Sequence, residues 1–175
     1  MPLLVVVTGM PSSGKTTVAE GLARRLRMTL IAKDDIKESL YDSLGADDVA
    51  ASARLGDAAY ALIFELTRAT LAVGASLIVE ANFFTDQAAD FSSLPEHRTV
   101  QLHCHAPLPT LLERYAARSR HAGHRDAEKI KELPARFESG AHDPLALDGE
   151  LIRLDTTEPL DLDALASACL GSRRG

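Results

Sequence analysis

"GMPSSGKTT", residues 9–17, follows without a break on the apolar run "LLVVVT", residues 3–8. A run of that composition reads as a strand buried on both faces of a parallel sheet, where apolar and polar residues no longer alternate. The stretch after it fits G-x-x-x-x-G-K-[ST]: Gly9, Gly14, Lys15 and Thr16 hold the fixed positions, Met10, Pro11, Ser12 and Ser13 lie between, and Thr17 follows. Glycines permit backbone angles closed to other residues, so successive N–H groups turn inward around an anion. A helix expected from Val18, Leu22 and Leu26 adds the positive end of its dipole. The pattern predicts a phosphate loop, with Lys15 reaching the β- and γ-phosphates and the Thr16 hydroxyl holding Mg²⁺. A chance Gly/Ser turn before a helix is the bland alternative; strand, loop and helix falling in order argue against it.

Four more apolar runs follow: "TLIAK" at 29–33, "SLIVE" at 76–80, "TVQLHCH" at 99–105 and "ELIRLDT" at 150–156. Between them lie helical patterns. Leu55, Ala59, Leu62, Leu66, Ala69 and Val73 recur at helical spacing up to Gly74, a natural stop. Further helices are expected from about Pro107 through Leu111, Leu112 and Tyr115, from Asp126 to Pro134, and after Pro159 through Leu162 and Leu165. Strand–helix alternation with short connections predicts a three-layer α/β fold, a five-stranded parallel sheet flanked by helices. Ligands of such sheets lie beyond the carboxyl ends of the strands, where the glycine-rich loop sits.

The 175 residues suit a single domain. Apolar content of 46% and charged content of 25% are those of an ordinary soluble protein. A net charge of -6 argues against nucleic acid and anionic membrane as partners. Cys104 and Cys169 have no CxxC spacing, which suggests neither a disulfide framework nor a zinc site. The first apolar run is too short to span a bilayer and no basic segment precedes it, so a cytoplasmic location is expected.

Many unrelated proteins use a phosphate loop. No N-K-x-D guanine signature occurs, and no apolar strand ends in the Asp-Glu pair of large ATPase machines. What does occur is "AKDDIKESL" at 32–40, at the end of the second predicted strand, where a carboxylate faces the γ-phosphate across the cleft. "GMPSSGKTT" followed by "KDDIKESL" resembles the kinase domain of phage-type polynucleotide kinase and its relatives, among them zeta toxins, chloramphenicol phosphotransferase and small predicted kinases. The resemblance runs along most of the chain in order of elements and is specific in residues only at these two stretches. It implies ATP as donor, Asp34 as general base, and Lys37 on the acceptor side, where the polynucleotide kinases carry Arg. The residues themselves also allow Asp34 and Asp35 to cap a helix. "LIVEANFF" at 77–84 brings Glu80 and Asn82 to the end of the third strand. By resemblance Glu80 works near the Mg²⁺ water shell or the acceptor; as a bare residue it also reads as a satisfied strand-end carboxylate.

"LLERYAARSRHAGHRD" at 111–126 is a basic patch in an acidic protein. Arg114 and Arg118, four apart, share a helix face, and Arg120, His121, His124 and Arg125 crowd around Gly123. The resemblance makes 118–127 a short lid and Arg114 and Arg118 its phosphate-binding pair; a solvated basic face is the alternative. "RLDTTEP" at 153–159 resembles the loop that holds adenine in small kinases, with Thr156 among its contacts. "HCH" puts His103 and His105 on one strand face, either packed at a strand end or as two ligands of a metal. Together these readings predict an ATP- and Mg²⁺-dependent kinase acting on a hydroxyl of a small molecule. A polynucleotide 5′-hydroxyl is the alternative acceptor, set against three Tyr, five Phe and no Trp for stacking. A nucleotide-binding regulator that hydrolyses slowly is the reading from another class, and it has no need of a base at Asp34.

Overall fold

The computed structural model describes residues 1–118, 121 and 130–171. Its strands are β1 (Leu3–Gly9), β2 (Thr29–Ala32), β3 (Leu77–Glu80), β4 (Arg98–His105) and β5 (Glu150–Asp155). The helices are α1 (Lys15–Leu26), α2 (Lys33–Leu44), α3 (Val49–Ala72), α4 (Ala88–Ser92), α5 (Leu108–Ala117), α6 (Leu133–Glu138) and α7 (Leu162–Leu170). The strands form one sheet in the order β2-β3-β1-β4-β5, and every pair is parallel. This is the expected five-stranded α/β sheet. Its register sets Glu80 opposite both Val7 and Ala32, and Gly9 opposite Cys104, so the carboxyl ends of β1, β2 and β3 open on one rim.

β1 is buried along its whole length because it is the central strand and helices cover both faces. Leu3, Val5 and Val7 join Val18, Leu22, Leu165 and Cys169 on the α1/α7 side. Leu4 and Val6 join Ile63, Leu71, Phe83 and Phe91 on the other. Each such side chain contributes about 1.5–3 kcal/mol by leaving water, which fixes the central strand and the loop it carries. Both cysteines are buried free thiols; burial pushes Cys104 up to about 12 and Cys169 to about 11. Among the described residues no helix is long and apolar enough to cross a membrane.

Several expectations about elements need correction. The helix after β2 begins at Lys33, with Ala32 as its N-cap and no side-chain cap. Asp34 and Asp35 therefore lie inside its first turn, favourable to the helix dipole but not capping it. In α3 the buried residues are Ser52, Leu55, Gly56, Ala59, Ile63, Thr67 and Leu71. Leu62, Leu66 and Val73, expected inside, are exposed. Two overlapping stripes satisfy the same spacing in this largely apolar helix, and only packing chooses between them. Pro134 opens α6 in its first turn instead of ending a helix, as suits a residue with fixed φ and no N–H. Its expected start at Asp126 lies outside the described residues. Gly74 does follow the end of α3, with φ +75° and its N–H on the Leu71 carbonyl at 2.9 Å.

Candidate functional site

The glycine-rich loop leaves β1 through Gly9, whose φ is +137°. A Cβ there would sit 2.1 Å from the Cys104 carbonyl oxygen, so only glycine turns the chain while β1 stays paired with β4. Gly14 closes the loop as the N-cap of α1, at φ +86°. Ser12 takes φ +64°, a cost that a non-glycine residue bears only when its surroundings hold it. Lys15 folds over the loop and donates to the Met10 carbonyl at 2.7 Å, with 6% of its surface exposed. Burial lowers its pKa, opposed chiefly by the Glu80 carboxylate. The Thr16 hydroxyl donates to Glu80 Oε2 at 3.2 Å. The Met10 side chain points away, into a cluster with Ala106, Leu111, Tyr115 and Leu133.

Three cavities surround the loop. The central one, about 350 Å³, is lined by Pro11, Ser12, Gly14, Lys15, Thr16, Thr17, Asp34, Glu80, Asn82, Arg114 and Arg118. On one side it shares Gly14, Thr17 and Arg114 with a cavity of about 390 Å³ that adds Val18, Thr156, Glu158, Leu160 and Leu162. On the other it shares Pro11, Asp34, Asn82 and Arg118 with a cavity of about 220 Å³. Lys37, Ser52, Gly56, Asp57, Tyr60, Phe84, Tyr115, Arg136 and His142 are among the further walls of that one. Asp34 lies at the junction, whereas Asp35 lines neither cavity there and is exposed. Glu80 faces the central cavity but not the smaller one.

The two arginines diverge. Arg114 donates to the Thr156 hydroxyl at 3.0 Å and the Thr156 carbonyl at 2.7 Å, toward the larger flanking cavity. Arg118 donates to Ser12 Oγ at 3.0 Å, and its guanidinium carbon lies 3.7 Å from the Tyr115 ring centre. Arg118 lines both the central and the smaller cavity, as Asp34 does. On the smaller side, Lys37 is buried and donates to Ser52 Oγ at 3.0 Å. Lys33 lies 3.8 Å from the Asp34 carboxylate and 5.0 Å from the Tyr60 ring centre. The Tyr60 hydroxyl donates to the Asn82 carbonyl at 2.7 Å, and burial raises its pKa well above the ordinary phenol value.

Of the expected lid, Arg118 and His121 are described; Arg120, Gly123, His124 and Arg125 lie outside the described residues. His121 Nε2 meets Asp42 Oδ1 at 2.9 Å, against the far end of α2. His103 is buried and His105 exposed, both on a separate cavity behind the loop. No three His, Cys, Asp or Glu among the described residues gather as metal ligands. Sequence reasoning missed Ser52, Gly56, Tyr60, Arg136 and His142 as cavity walls. Ser52, Gly56 and Tyr60, each four apart, were a legible signal: a stripe of polar residues and glycine along one face of α3.

A family model described as an AAA domain matches residues 4–139. No curated protein matches the chain. Among solved structures, a candidate kinase from Chloroflexus aurantiacus is 32% identical over 99% of both chains, with a TM-score of 0.87. A sugar kinase from Janibacter sp. HTCC2649 is 20% identical over 98% of this chain and 94% of its own, with a TM-score of 0.64. A shikimate kinase from Bacteroides thetaiotaomicron is 15% identical over 97% of both, at a TM-score of 0.56. The last two share the fold.

Proposed function

The chain belongs to the AAA-domain family, and on that premise we propose that it is a kinase moving the γ-phosphate of ATP to a hydroxyl of a small-molecule acceptor, with Mg²⁺. The observation that carries this is the junction at Asp34. A phosphate-loop protein that only hydrolyses nucleotide needs one water beside the γ-phosphate, not a second walled cavity opening onto the same carboxylate. The larger flanking cavity takes the nucleoside, between Val18, Thr156, Leu160 and Leu162. The central one takes the phosphates, held by the loop N–H groups and Lys15. The smaller one takes the acceptor. Its volume, about 220 Å³, is below the ~300–1,000 Å³ of sites for drug-sized ligands, which supports a compact acceptor over a polynucleotide end.

In this reading the acceptor hydroxyl lies against Asp34, which accepts its proton as the oxygen attacks in line. Lys15 and the loop amides hold the β- and γ-phosphates, and Arg118 meets the charge that spreads over the γ-oxygens in the transition state. Thr16 Oγ1 and the Glu80 carboxylate, 3.2 Å apart, are hard oxygen donors that would hold Mg²⁺, which would neutralise phosphate charge there. Within the kinases, the resemblance of "KDDIKESL" to the polynucleotide kinase and zeta toxin group supports Asp34 as base and Lys37 on the acceptor.

Asp34→Asn keeps size and shape and removes the proton acceptor. Transfer should fall by roughly 100- to 10,000-fold, the range for a general base, while ATP affinity by calorimetry stays close to wild type. Mass spectrometry across a panel of alcohols and oligonucleotides reads the transfer. A wild type that binds ATP and phosphorylates nothing in the panel would favour the regulator instead.

A further inference from the structure

Gly56 sits deep inside α3, in the middle of its buried face. Glycine there weakens the helix relative to alanine, because it leaves more backbone freedom to be lost on folding. Two reasons ordinarily retain such a glycine, and neither applies. Its φ is not among the positive values of this chain, so the backbone does not require it. Beyond the adjoining stretch of its own helix, a Cβ built on it would meet no atom within 4 Å, so no neighbour packs against the missing side chain. Gly56 is nonetheless buried, and the space over it belongs to the cavity that also holds Asp34.

The residues one turn to either side are anchored and hold the gap open. Ser52 Oγ accepts from the buried Lys37 ammonium at 3.0 Å. The Tyr60 hydroxyl donates to the Asn82 carbonyl across the cavity at 2.7 Å. The surface they leave at Gly56 is bare helix backbone whose polar groups are used within the helix, so it offers nothing to a hydroxyl or a charge. Only a hydrocarbon face fits against it.

We infer that Gly56 is the size-selecting residue of the acceptor site, and that the acceptor is a compact hydroxylated molecule, such as a sugar or cyclitol, whose C–H face lies on α3 between Ser52 and Tyr60. This rests on the kinase reading above and names the substrate class of the same site. Polar groups along the same cavity that can meet its hydroxyls include Lys33, Lys37, Ser52, Asp57 and Arg136, with Asp34 at the reacting end.

The test compares wild type, Gly56→Ala and Gly56→Val. Steady-state transfer is measured from ATP to sugars, cyclitols, short hydroxy acids and 5′-hydroxyl oligonucleotides, beside thermal unfolding of the nucleotide-free proteins. Gly56→Ala should raise Tm by about 2–4 °C, the gain of an interior helix alanine in a chain of this size. It should raise KM for the best compact acceptor by about 5- to 100-fold, the effect of forcing one methyl into a filled site, and leave KM for ATP unchanged. Gly56→Val should lose the acceptor altogether. An unchanged acceptor KM in Gly56→Ala overturns the inference while leaving the kinase reading intact. A fall in Tm overturns it too, by showing that the glycine serves packing. Oligonucleotides as the best acceptors defeat the compact class, and a wild type that transfers to nothing defeats the kinase reading and this inference together.

Discussion

Lys15 is an ammonium kept where water reaches it poorly, and its lowered pKa has a consequence for stability. The folded state disfavours the charge that the unfolded chain carries freely, so below the lowered pKa the full penalty is present. It fades as pH rises through that value toward the unfolded 10.5. At neutral pH, Lys15→Met should therefore raise the stability of the nucleotide-free protein, by on the order of 1 kcal/mol in urea unfolding. The same variant should gain nothing from added ATP, whereas wild type gains in proportion to its affinity; a variant still stabilised by ATP would remove Lys15 from the phosphate site. The arginines separate in the same way. Arg118, stacked on Tyr115 at the junction with Asp34, should act on the transition state: Arg118→Ala lowers kcat by roughly 10- to 1,000-fold. Arg114, tied to Thr156, should act on the nucleotide, so Arg114→Ala raises KM for ATP more than it lowers kcat. Steady-state kinetics on both variants checks the split, and equal effects on kcat would erase the distinction.

At the scale of elements, one glycine is required by the backbone itself. Gly9 ends β1 with a Cβ position 2.1 Å from the Cys104 carbonyl and φ +137°, so Gly9→Ala must push β1 from β4 or strain the turn. We expect a loss of at least about 2 kcal/mol in urea unfolding, together with weaker ATP binding; a neutral Gly9→Ala would mean the loop can relax and does not fix the phosphates. Elements of this kind were legible beforehand. The all-apolar β1, the motif after it and the stop at Gly74 follow from local chemistry, because backbone angle and burial on both faces leave one solution. The buried face of α3 was not legible. Leu62 and Leu66 satisfy helical spacing as well as Ile63 does, and only the position of the sheet decides which turns inward. The start of α2 at Lys33 was equally hidden, since β2 runs directly into it with no capping side chain to mark the boundary. For the site, Lys15 and Thr16 came from the motif, and Asp34, Arg114 and Arg118 from the resemblance to the polynucleotide kinase group. In the far wall of the smaller cavity, Ser52, Gly56 and Tyr60 share a spacing of four that could have been read, whereas Arg136 and His142 join them only through tertiary packing.

At the scale of the whole molecule, the strand order β2-β3-β1-β4-β5 puts β1 at the centre, and the loops after β3 and α6 close against each other over its end. Two buried histidines, His103 and His142, line one cavity behind the glycine-rich loop. His103 on β4 is pushed down to about 4 by burial, with Arg153 adding to the effect. His142, beyond α6, is likewise pushed to about 4 by burial, although its ring bonds the Phe83 carbonyl. Both therefore stay neutral in the folded protein at pH values where the unfolded chain, near 6.5, already takes up protons. Stability is full above pH 6.5, falls as the pH drops from 6.5 toward 4, and levels off below about 4 as far as these two groups are concerned. Each histidine supports a slope of up to about 1.4 kcal/mol per pH unit in that window. The total is on the order of a few kcal/mol, a large share of the ~5–15 kcal/mol of a typical fold. Urea unfolding at steps between pH 7.5 and 4 should show this decline, and His103→Gln and His142→Gln should each remove about half of the slope. His142 also borders the smaller cavity, proposed above for the acceptor, and its ring centre lies 4.5 Å from that of Phe84. As the pH falls to about 4, where the His142 ring takes up a proton, transfer to the proposed acceptor should weaken before ATP binding, proposed for the other side of Asp34. A flat stability profile from pH 6.5 to 4 in wild type would mean that both rings take up protons in the folded protein as readily as in the unfolded chain.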